Sequence, residues 1–343
     1  MSLLGHEPFN DQDAFGHAFS VGLESILEQG SLGAFILSCA NAYGQASLHH
    51  VLSAKLELHY RDLLEALDGG QAVPGSDEDR TVFAELSEIG LDHLPLAESR
   101  PCGPWQLQYN AMRAFRPMRH AAAAPESLQQ PFNVDGFHFN KPFMLKEQFW
   151  EGRAGRHGLS AYYNKFPFAD YHLLWVPDRE AELPQYLLQP YHELMWRLCD
   201  DLGSRINGFA LGYNALGAFA SVNHFHFQSY IGEPVPIVSD RWQHNGGNEA
   251  YPLSCFRFDS PDEAWCLIQE LHSGSQPYNL LYTKGMMYCI PRQYQGRYPQ
   301  PSWSPGFAWR EICGDMVTVR RRDYEELTDD VIAAALATAA VTI

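Results

Sequence analysis

Basic residues are scarce in this chain. Lys and Arg together number 24 against 41 Asp and Glu over 343 residues, a formal net charge of −17. That balance argues against broad binding to nucleic acid or to membranes, where affinity comes from meeting phosphate charge with Lys and Arg. It leaves room for a small anionic ligand, for which a few local donors suffice, backbone N–H groups among them. Cysteines are also few and scattered: seven, at 39, 102, 199, 255, 266, 289 and 313, with no Cys-x-x-Cys pair. Neither a zinc knuckle nor a redox pair is indicated, and buried free thiols in a reducing compartment are expected. The first eleven residues lack a basic start followed by an apolar stretch, so no signal peptide is read there. No apolar run approaches the roughly 20 residues of a membrane-spanning helix. A cytoplasmic protein is the expectation.

What is present is ordinary for a globular enzyme: 45% apolar and 19% charged residues. Aromatic content is 13%, on the high side. Residues 15–70 carry apolar side chains at three- and four-residue spacing (Leu23, Ile26, Leu27; then Leu52, Leu56, Leu63, Leu67), which predicts helices. Gly69 and Gly70 end the last of them, and 71–81 is expected to be a loop. Residues 120–131 (HAAAAPESLQQP) are low in complexity. The main boundary is placed there, giving a helical region with lead-in at 1–125 and a second domain at 126–343. Beyond Pro131 the pattern turns to β. Strands are expected at 159–163 and 172–176, a helix from about 183 to 201, and strands at 208–213 and 218–230. A helix at 262–272 and a strand pair at 279–290 follow, then a terminal helix at 324–340. "LSAYYNKFPFADYHLLWVPDRE" and "YNLLYTKGMMYCIPRQ" both read as strand, tight turn and strand ending in Pro. An α+β fold follows, with two similar halves sharing an antiparallel sheet arrangement.

The sharpest feature is Asn223-His224-Phe225-His226-Phe227-Gln228. On a strand, His224, His226 and Gln228 would share one face while Phe225 and Phe227 enter the core. One reading is the edge of a solvated sheet. A second is a metal site, since His-x-His on a strand presents two imidazoles to one ion. The nearest following acid, Glu233, lies beyond a turn at Gly232, which serves that reading poorly. A third is nucleophilic catalysis on phosphorus. A neutral imidazole attacks an α-phosphate and holds the nucleotidyl group as a phosphoramidate. One ring nitrogen must be free and the other held as N–H, with donors aimed at the non-bridging oxygens.

The "HFHFQ" segment resembles the histidine-triad superfamily, whose hydrolases carry His-φ-His-φ-His. Its transferase branch, which includes galactose-1-phosphate uridylyltransferases and diadenosine tetraphosphate phosphorylases, has Gln in the third place. "NKFPFADYHLLWVP" is similar to the superfamily's Asn…Pro…His segment. "PFNVDGFHFNKPFMLKEQFW", "GYNALGAFASVNHFHFQSY" and "WREICGDMVTVRRRDYEEL" are similar to the GDP-L-galactose and GDP-D-glucose phosphorylases. The resemblance spans about residues 100–325. It implies two fused histidine-triad-like halves, His226 as nucleophile, His224 in support and Gln228 on the phosphate. It implies substrate contacts from Asn164, His172 and Lys141, with Asn223 a further candidate for the substrate. Arg292, at the end of a strand in the apparent repeat of the His172 segment, is a candidate for a phosphate contact or an exposed structural residue.

The implied reaction is phosphorolysis of a nucleoside-diphosphate hexose, GDP-hexose favoured, to a nucleoside diphosphate and hexose 1-phosphate. The alternatives are a dinucleotide polyphosphate phosphorylase and a nucleotide-binding protein without catalysis. Expected partners are the nucleotide sugar and phosphate, with a homodimer left open; no metal is required, and Mg is the ion that would help. Three departures stand out. The first hundred residues do not fit the pattern. Asp315 stands where His is expected. The zinc-ligand cysteines of some uridylyltransferases have no counterpart. Weaker candidates for phosphate contact are Arg113, Arg116 and Arg119. Asp170 is a candidate to orient a histidine, and Gly246-Gly247 a loop to close over ligand.

Overall fold

The computed structural model describes residues 3–5, 7–116, 125 and 127–342. Four helices come first: α1 (Gln12–Leu27), α2 (Leu32–Gly44), α3 (Ala46–Asp68) and α4 (Asp77–Ile89). Each start but that of α3 has a side-chain cap. Asp11 and Ser31 accept from the third N–H of α1 and α2, and Ser76 with Asp79 forms a reciprocal capping box on α4. The stretch 71–81, expected to be a loop, is therefore a loop only as far as Ser76. Its acidic run DED is the first turn of α4, where negative charge meets the positive end of the helix dipole.

Next come β1 (Glu98–Cys102), β2 (Trp105–Tyr109), β3 (Gln148–Ala154), β4 (His157–Tyr163) and β5 (Leu173–Pro177). After them are α5 (Gln189–Gly203), β6 (Phe209–Asn214) and β7 (Phe227–Ile231). The last third holds β8 (Phe256–Phe258), α6 (Pro261–Ser273), β9 (Tyr278–Thr283) and β10 (Met286–Pro291). It ends with α7 (Trp309–Ile312), β11 (Asp315–Thr318), α8 (Arg321–Glu326) and α9 (Asp329–Thr338). The fold class is α+β, as expected. Among the described residues the large sheet runs β3-β4-β5-β7-β6-β9-β10-β8, with every neighbouring pair antiparallel.

The strand order exposes a repeat. β5-α5-β6-β7 and β8-α6-β9-β10 are each strand, helix, hairpin, and in each the first strand pairs with the last. The two units meet where β6 pairs with β9, so the sheet reads β5-β7-β6 and then β9-β10-β8, a pseudo-two-fold arrangement. Two halves were expected, but with the wrong equivalence. The hairpin β9–β10 corresponds to β6–β7, not to the β4–β5 hairpin that it resembles in sequence. Strand-turn-strand-Pro is a local pattern shared by unrelated hairpins, whereas the helix before the hairpin marks the repeat.

One face of the sheet (Tyr163, Trp175, Leu211, Tyr213, Phe227, Tyr282) packs against α1 to α3, α5 and α6 in a single core. The other (Ala210, Tyr230, Leu281, Tyr288) packs against a small sheet, β1-β2-β11, and the C-terminal helices. β2 pairs in parallel with β11, so the lead-in at 98–109 is tied to residues 315–318.

The N-terminal helices share that first core and reach the loop between β4 and β5. Tyr163 Oη donates to Phe19 O (2.9 Å), and Asn41 Nδ2 donates to Asn164 O (3.0 Å). Tyr171 N–H donates to Gln45 Oε1 (3.1 Å), and Lys165 pairs with Asp79. Asn41 is 2% exposed, so its replacement leaves a buried carbonyl without its donor. Asn41→Ala is expected to cost about 1–3 kcal/mol by urea titration and to speed hydrogen exchange of the 164–172 amides selectively. Unchanged exchange there would show that the brace is not needed.

Candidate active site around His226

β7 begins at Phe227, so only Gln228 of the expected row lies on the strand; His224 and His226 sit in the segment that enters it. The reason is local. His226 Nδ1 lies 2.8 Å from the carbonyl oxygen of His224, and a side chain that bonds backbone two residues earlier competes with the ladder. The two phenylalanines face the core as expected, Phe225 at 1% and Phe227 at 0% exposure.

Freed from the ladder, the His226 backbone is held by one buried amide. Gln185 Oε1 accepts from His226 N–H (2.8 Å). Its Nε2 donates to His226 O (3.1 Å) and to Asn214 O (2.9 Å). Gln185 thus replaces a strand neighbour. Nothing in its sequence context, LPQYL, distinguishes it from a surface glutamine. Asn223 braces the same segment. Its Oδ1 accepts from Gln185 N–H (2.9 Å) and its Nδ2 donates to Pro131 O (2.7 Å). Expected to contact substrate, it is instead occupied with backbone.

The His224 ring bridges two segments. Its Nδ1 accepts from Phe139 N–H (3.0 Å), so Nε2 carries the proton and donates to Arg179 O (3.1 Å). Phe139, fully buried, lies with its ring centroid 5.4 Å from those of both His224 and His226. Lys141, two residues on, donates from Nζ to Val134 O (3.1 Å) and caps the short 3-10 turn that follows.

For His226, the carbonyl acceptor at Nδ1 fixes the proton there and leaves Nε2 with its lone pair; Nε2 makes no hydrogen bond among the described residues. Burial pushes the His226 imidazole down to about 4, the His224 carbonyl opposing. Burial, and then the neighbouring His226, pushes His224 to about 4 as well. Both rings are neutral near pH 7.

His172 comes to the same place, fully buried, as expected. Its Nε2 lies 3.2 Å from Gln228 Oε1 and 3.3 Å from Asn164 Nδ2. Burial, and then the positive charges of Arg113 and Arg310, hold it well below the ordinary imidazole value. Asn164 is set by its own turn, Oδ1 accepting from Phe166 N–H (3.0 Å). The structure therefore gathers His172, Asn164 and Gln228 beside the His224–His226 segment. It adds Trp309, whose Nε1–H donates to Gln228 Oε1 (2.9 Å).

Arg292 is the clearest correction. It was expected at the substrate, but its guanidinium is fully buried. It donates to Asn279 Oδ1 (3.1 Å), to Phe307 O and to Tyr298 Oη, with Phe219 and Tyr298 rings alongside. Asn279 in turn donates to Asn214 Oδ1 (2.7 Å), so Arg292 anchors the junction of the halves. Its expected place came from the hairpin equivalence that the topology overturns.

Of the weaker candidates, Arg113 is buried over the Phe168 ring, donates to Phe166 O (2.6 Å), and lies close enough to His172 to act on its charge. Arg116 is exposed. Arg119 lies outside the described residues. Asp170 is half-buried with its carboxyl raised by burial. Gly246 and Gly247 form a packed turn: Gly246 has φ +91, and a Cβ on Gly247 would strike the Arg241 backbone. Asp315, where His was expected, accepts from Arg310 Nε (2.8 Å). Among the described residues, no group of three or more His, Cys, Asp or Glu is placed to hold a metal. No described helix is long and apolar enough to cross a membrane.

Comparison with known proteins bears on this geometry. Residues 105–230 match the family described as GDPGP1-like, N-terminal domain. The span runs from β2 to β7 and contains Asn164, His172 and the whole His224–Gln228 segment. The chain is 28% identical over 149 residues to GDP-L-galactose phosphorylase 1 of Arabidopsis thaliana, covering 36% of this chain and 34% of that one. It is 34% identical over 174 residues to GDP-D-glucose phosphorylase 1 of Bos taurus, covering 46% and 43%. The matched region is thus well under half the length of these relatives. Among solved structures, the yeast Ap4A phosphorylase Apa2 in complex with Ap4A superposes with a TM-score of 0.51 at 18% identity. The match covers 77% of this chain and 97% of that one, and it shows a shared fold. The likeness to GDP-hexose phosphorylases in sequence and to a yeast Ap4A phosphorylase in fold therefore stands.

Two outcomes follow. Arg292→Met removes several buried charge-assisted bonds and should cost about 3 kcal/mol or more in urea titration, leaving the affinity of the folded protein for a nucleotide sugar unchanged; weaker binding at intact stability would return Arg292 to the ligand. His172, His192, His224, His226 and His272 are all lowered by burial, the last three to about 4. Unfolded imidazoles bind protons near 6.5. These groups therefore support the fold fully above that value, and their contribution is lost as pH falls from about 6.5 through 4. Tm should drop between pH 7.5 and 5; a flat Tm would mean the rings are not buried neutral.

Proposed function

We propose that this protein is a nucleotidyltransferase that phosphorolyses a nucleoside-diphosphate hexose, GDP-hexose favoured, through a covalent nucleotidyl-His226 intermediate. The observation that carries the reading is the division of labour in one ring. His226 Nδ1–H is spent on the His224 carbonyl while neutral Nε2 stays open, beside a glutamine whose oxygen is already occupied. Nε2 attacks the α-phosphorus. The N–P bond forms, the bridging P–O bond breaks, and its electron pair leaves with hexose 1-phosphate. The ring then carries positive charge, which the His224 carbonyl stabilises at Nδ1–H. Inorganic phosphate attacks the same phosphorus, the N–P pair returns to Nε2, and the nucleoside diphosphate departs.

Gln228 neither gains nor loses a proton near neutral pH. It can hold the phosphoryl oxygens but cannot act as a base toward water. Phosphate needs no such base, because it arrives ionised. Each half-reaction trades one phosphate linkage for another of similar energy, so orientation and charge stabilisation suffice. No metal is required by this scheme; Mg would assist by shielding the diphosphate. The names of the similar proteins favour GDP-hexoses as substrates.

The test is incubation with GDP-hexose labelled in the nucleotide, first without phosphate and then with it. Acid-labile label should appear on the protein and discharge on phosphate addition as labelled GDP, with ping-pong kinetics. His226→Ala should lose the label and roughly four or more orders of magnitude in kcat while keeping its Tm, and His224→Ala should lose less. Turnover of a dinucleotide polyphosphate in preference to any nucleotide sugar would move the assignment to the alternative substrate class. Comparable activity in His226→Ala and wild type would end the covalent reading.

A further inference from the structure

Gln228 belongs to a row that crosses the sheet on one face: Tyr162, Leu174, Gln228, Gly212, Leu281, Tyr288, each registered opposite the next. The row has one gap, at Gly212, and the Trp309 indole fills it. A Cβ at position 212 would collide with the indole ring. Trp309 is fully buried. Its backbone N–H donates to Asn214 Oδ1 (2.7 Å), and its ring stacks on Tyr230 with centroids 5.5 Å apart and planes at 24°. Held there, the indole Nε1–H points at Gln228 Oε1 from 2.9 Å, while His172 Nε2 lies 3.2 Å from the same oxygen.

An indole N–H can only donate. It therefore fixes which end of the Gln228 amide is which. The oxygen must face Trp309, and the NH2 group must face away, where it makes no bond to any described residue. A flipped amide would set NH2 against N–H and leave a buried donor unpaired, at a cost no neighbour offsets. The indole is one of two donors that hold the oxygen there; the other is His172 Nε2–H (3.2 Å), whose ring accepts at Nδ1 from Phe168 N–H (3.4 Å).

We propose that Trp309 is a positioning residue that decides the acceptor. By keeping the Gln228 oxygen out of the site, it presents two N–H donors to the phosphoryl oxygens and denies water a hydrogen-bond acceptor beside the nucleotidyl-His226 bond. The inference rests on the nucleotidyl-transfer reading above. Phosphate, rich in acceptor oxygens, is matched by the native orientation; water, which must be held through its own O–H, is not.

Trp309→Phe keeps an aromatic ring over Gly212 and removes the N–H. Gly212→Ala keeps the N–H and pushes the indole off the sheet from the other side. The experiment is rapid quench with GDP-glucose labelled in the guanine and saturating inorganic phosphate, counting GDP against GMP. In both variants phosphorolysis of the adduct should slow by about tenfold to a hundredfold and the GMP share should rise at least about tenfold. KM for GDP-glucose should change little. An unchanged GMP-to-GDP ratio in Trp309→Phe with intact Tm overturns the proposal, whatever the rate.

A second readout needs no turnover. In 15N-labelled protein, the Gln228 side-chain amide should be rigid in wild type and mobile in Trp309→Phe. If it stays equally rigid, the proposal fails. If it loosens while wild type forms no adduct, the nucleotidyl-transfer reading fails and the positioning by Trp309 stands.

Discussion

The Nδ1–H···O=C bond between the His226 ring and the His224 backbone is the constraint on which the rest of the site depends. It holds one tautomer in a ring too buried to take a proton near neutral pH. The bond also bends the chain, and a bent segment at the mouth of a strand loses its ladder partners. The lost partners are replaced by side chains and by one loop carbonyl. Gln185 takes both the N–H and the C=O of His226, Asn223 ties Gln185 to its own segment, and Asn214 accepts from Asn279 and Trp309. Leu183 O receives the N–H of Phe225 (2.9 Å). The site is a short stretch of backbone whose hydrogen bonds are satisfied from outside the sheet, as buried polar groups require.

The pseudo-two-fold sheet explains why, among the described residues, the second half does not repeat this arrangement. Across the β6–β9 junction, Leu281 takes the place of Gly212 and Tyr288 that of Gln228. In the second half that face is closed by apolar packing, and Tyr288 is 1% exposed. The bare backbone at Gly212 has the opposite use. It admits an indole contributed by the chain after the second half, so the C-terminal part of the molecule completes the N-terminal site. Arg292 and Asn279 fasten the junction across which that completion occurs.

Legibility from sequence follows the range of the interactions. The alternating His-Phe-His-Phe-Gln segment and the Asn164–His172 segment were visible because their residue types are unusual side by side. The helices at 12–68 were visible because their apolar spacing is local. The face-sharing geometry of His224 and His226 was not, because a side-chain-to-backbone bond overrides the period-two pattern. Gln185 carried no signal, and Trp309 stood at the head of the WREICGDMVTVRRRDYEEL segment with nothing to mark its role. One is a glutamine among apolar residues and the other a core-like tryptophan, and each matters through partners at least 29 positions away. Arg292 misled for a related reason: its neighbours in sequence resemble a hairpin that the topology places elsewhere.

Charge shows the same separation of scales. A protein with net charge −17 repels an anionic substrate at long range, so recognition has to come from short-range groups sheltered from that field. The structure supplies them sparingly. Arg113, buried, and Arg310, half-buried, lie near His172 and lower its proton affinity, but Arg310 is paired with Asp315 and Arg113 is spent on Phe166 O and the Phe168 ring. The groups left open at the site are neutral: the Nε2 of His226 and the amide NH2 of Gln228. A neutral lone pair and a neutral amide donor cost less to keep buried than charged groups, and would bind a diphosphate without trapping it. That balance suits the proposed nucleotidyl transfer, in which substrate, intermediate and product would all carry phosphate. A site that gripped any one of them with full charges would stabilise ground state and transition state alike, and gain nothing in rate.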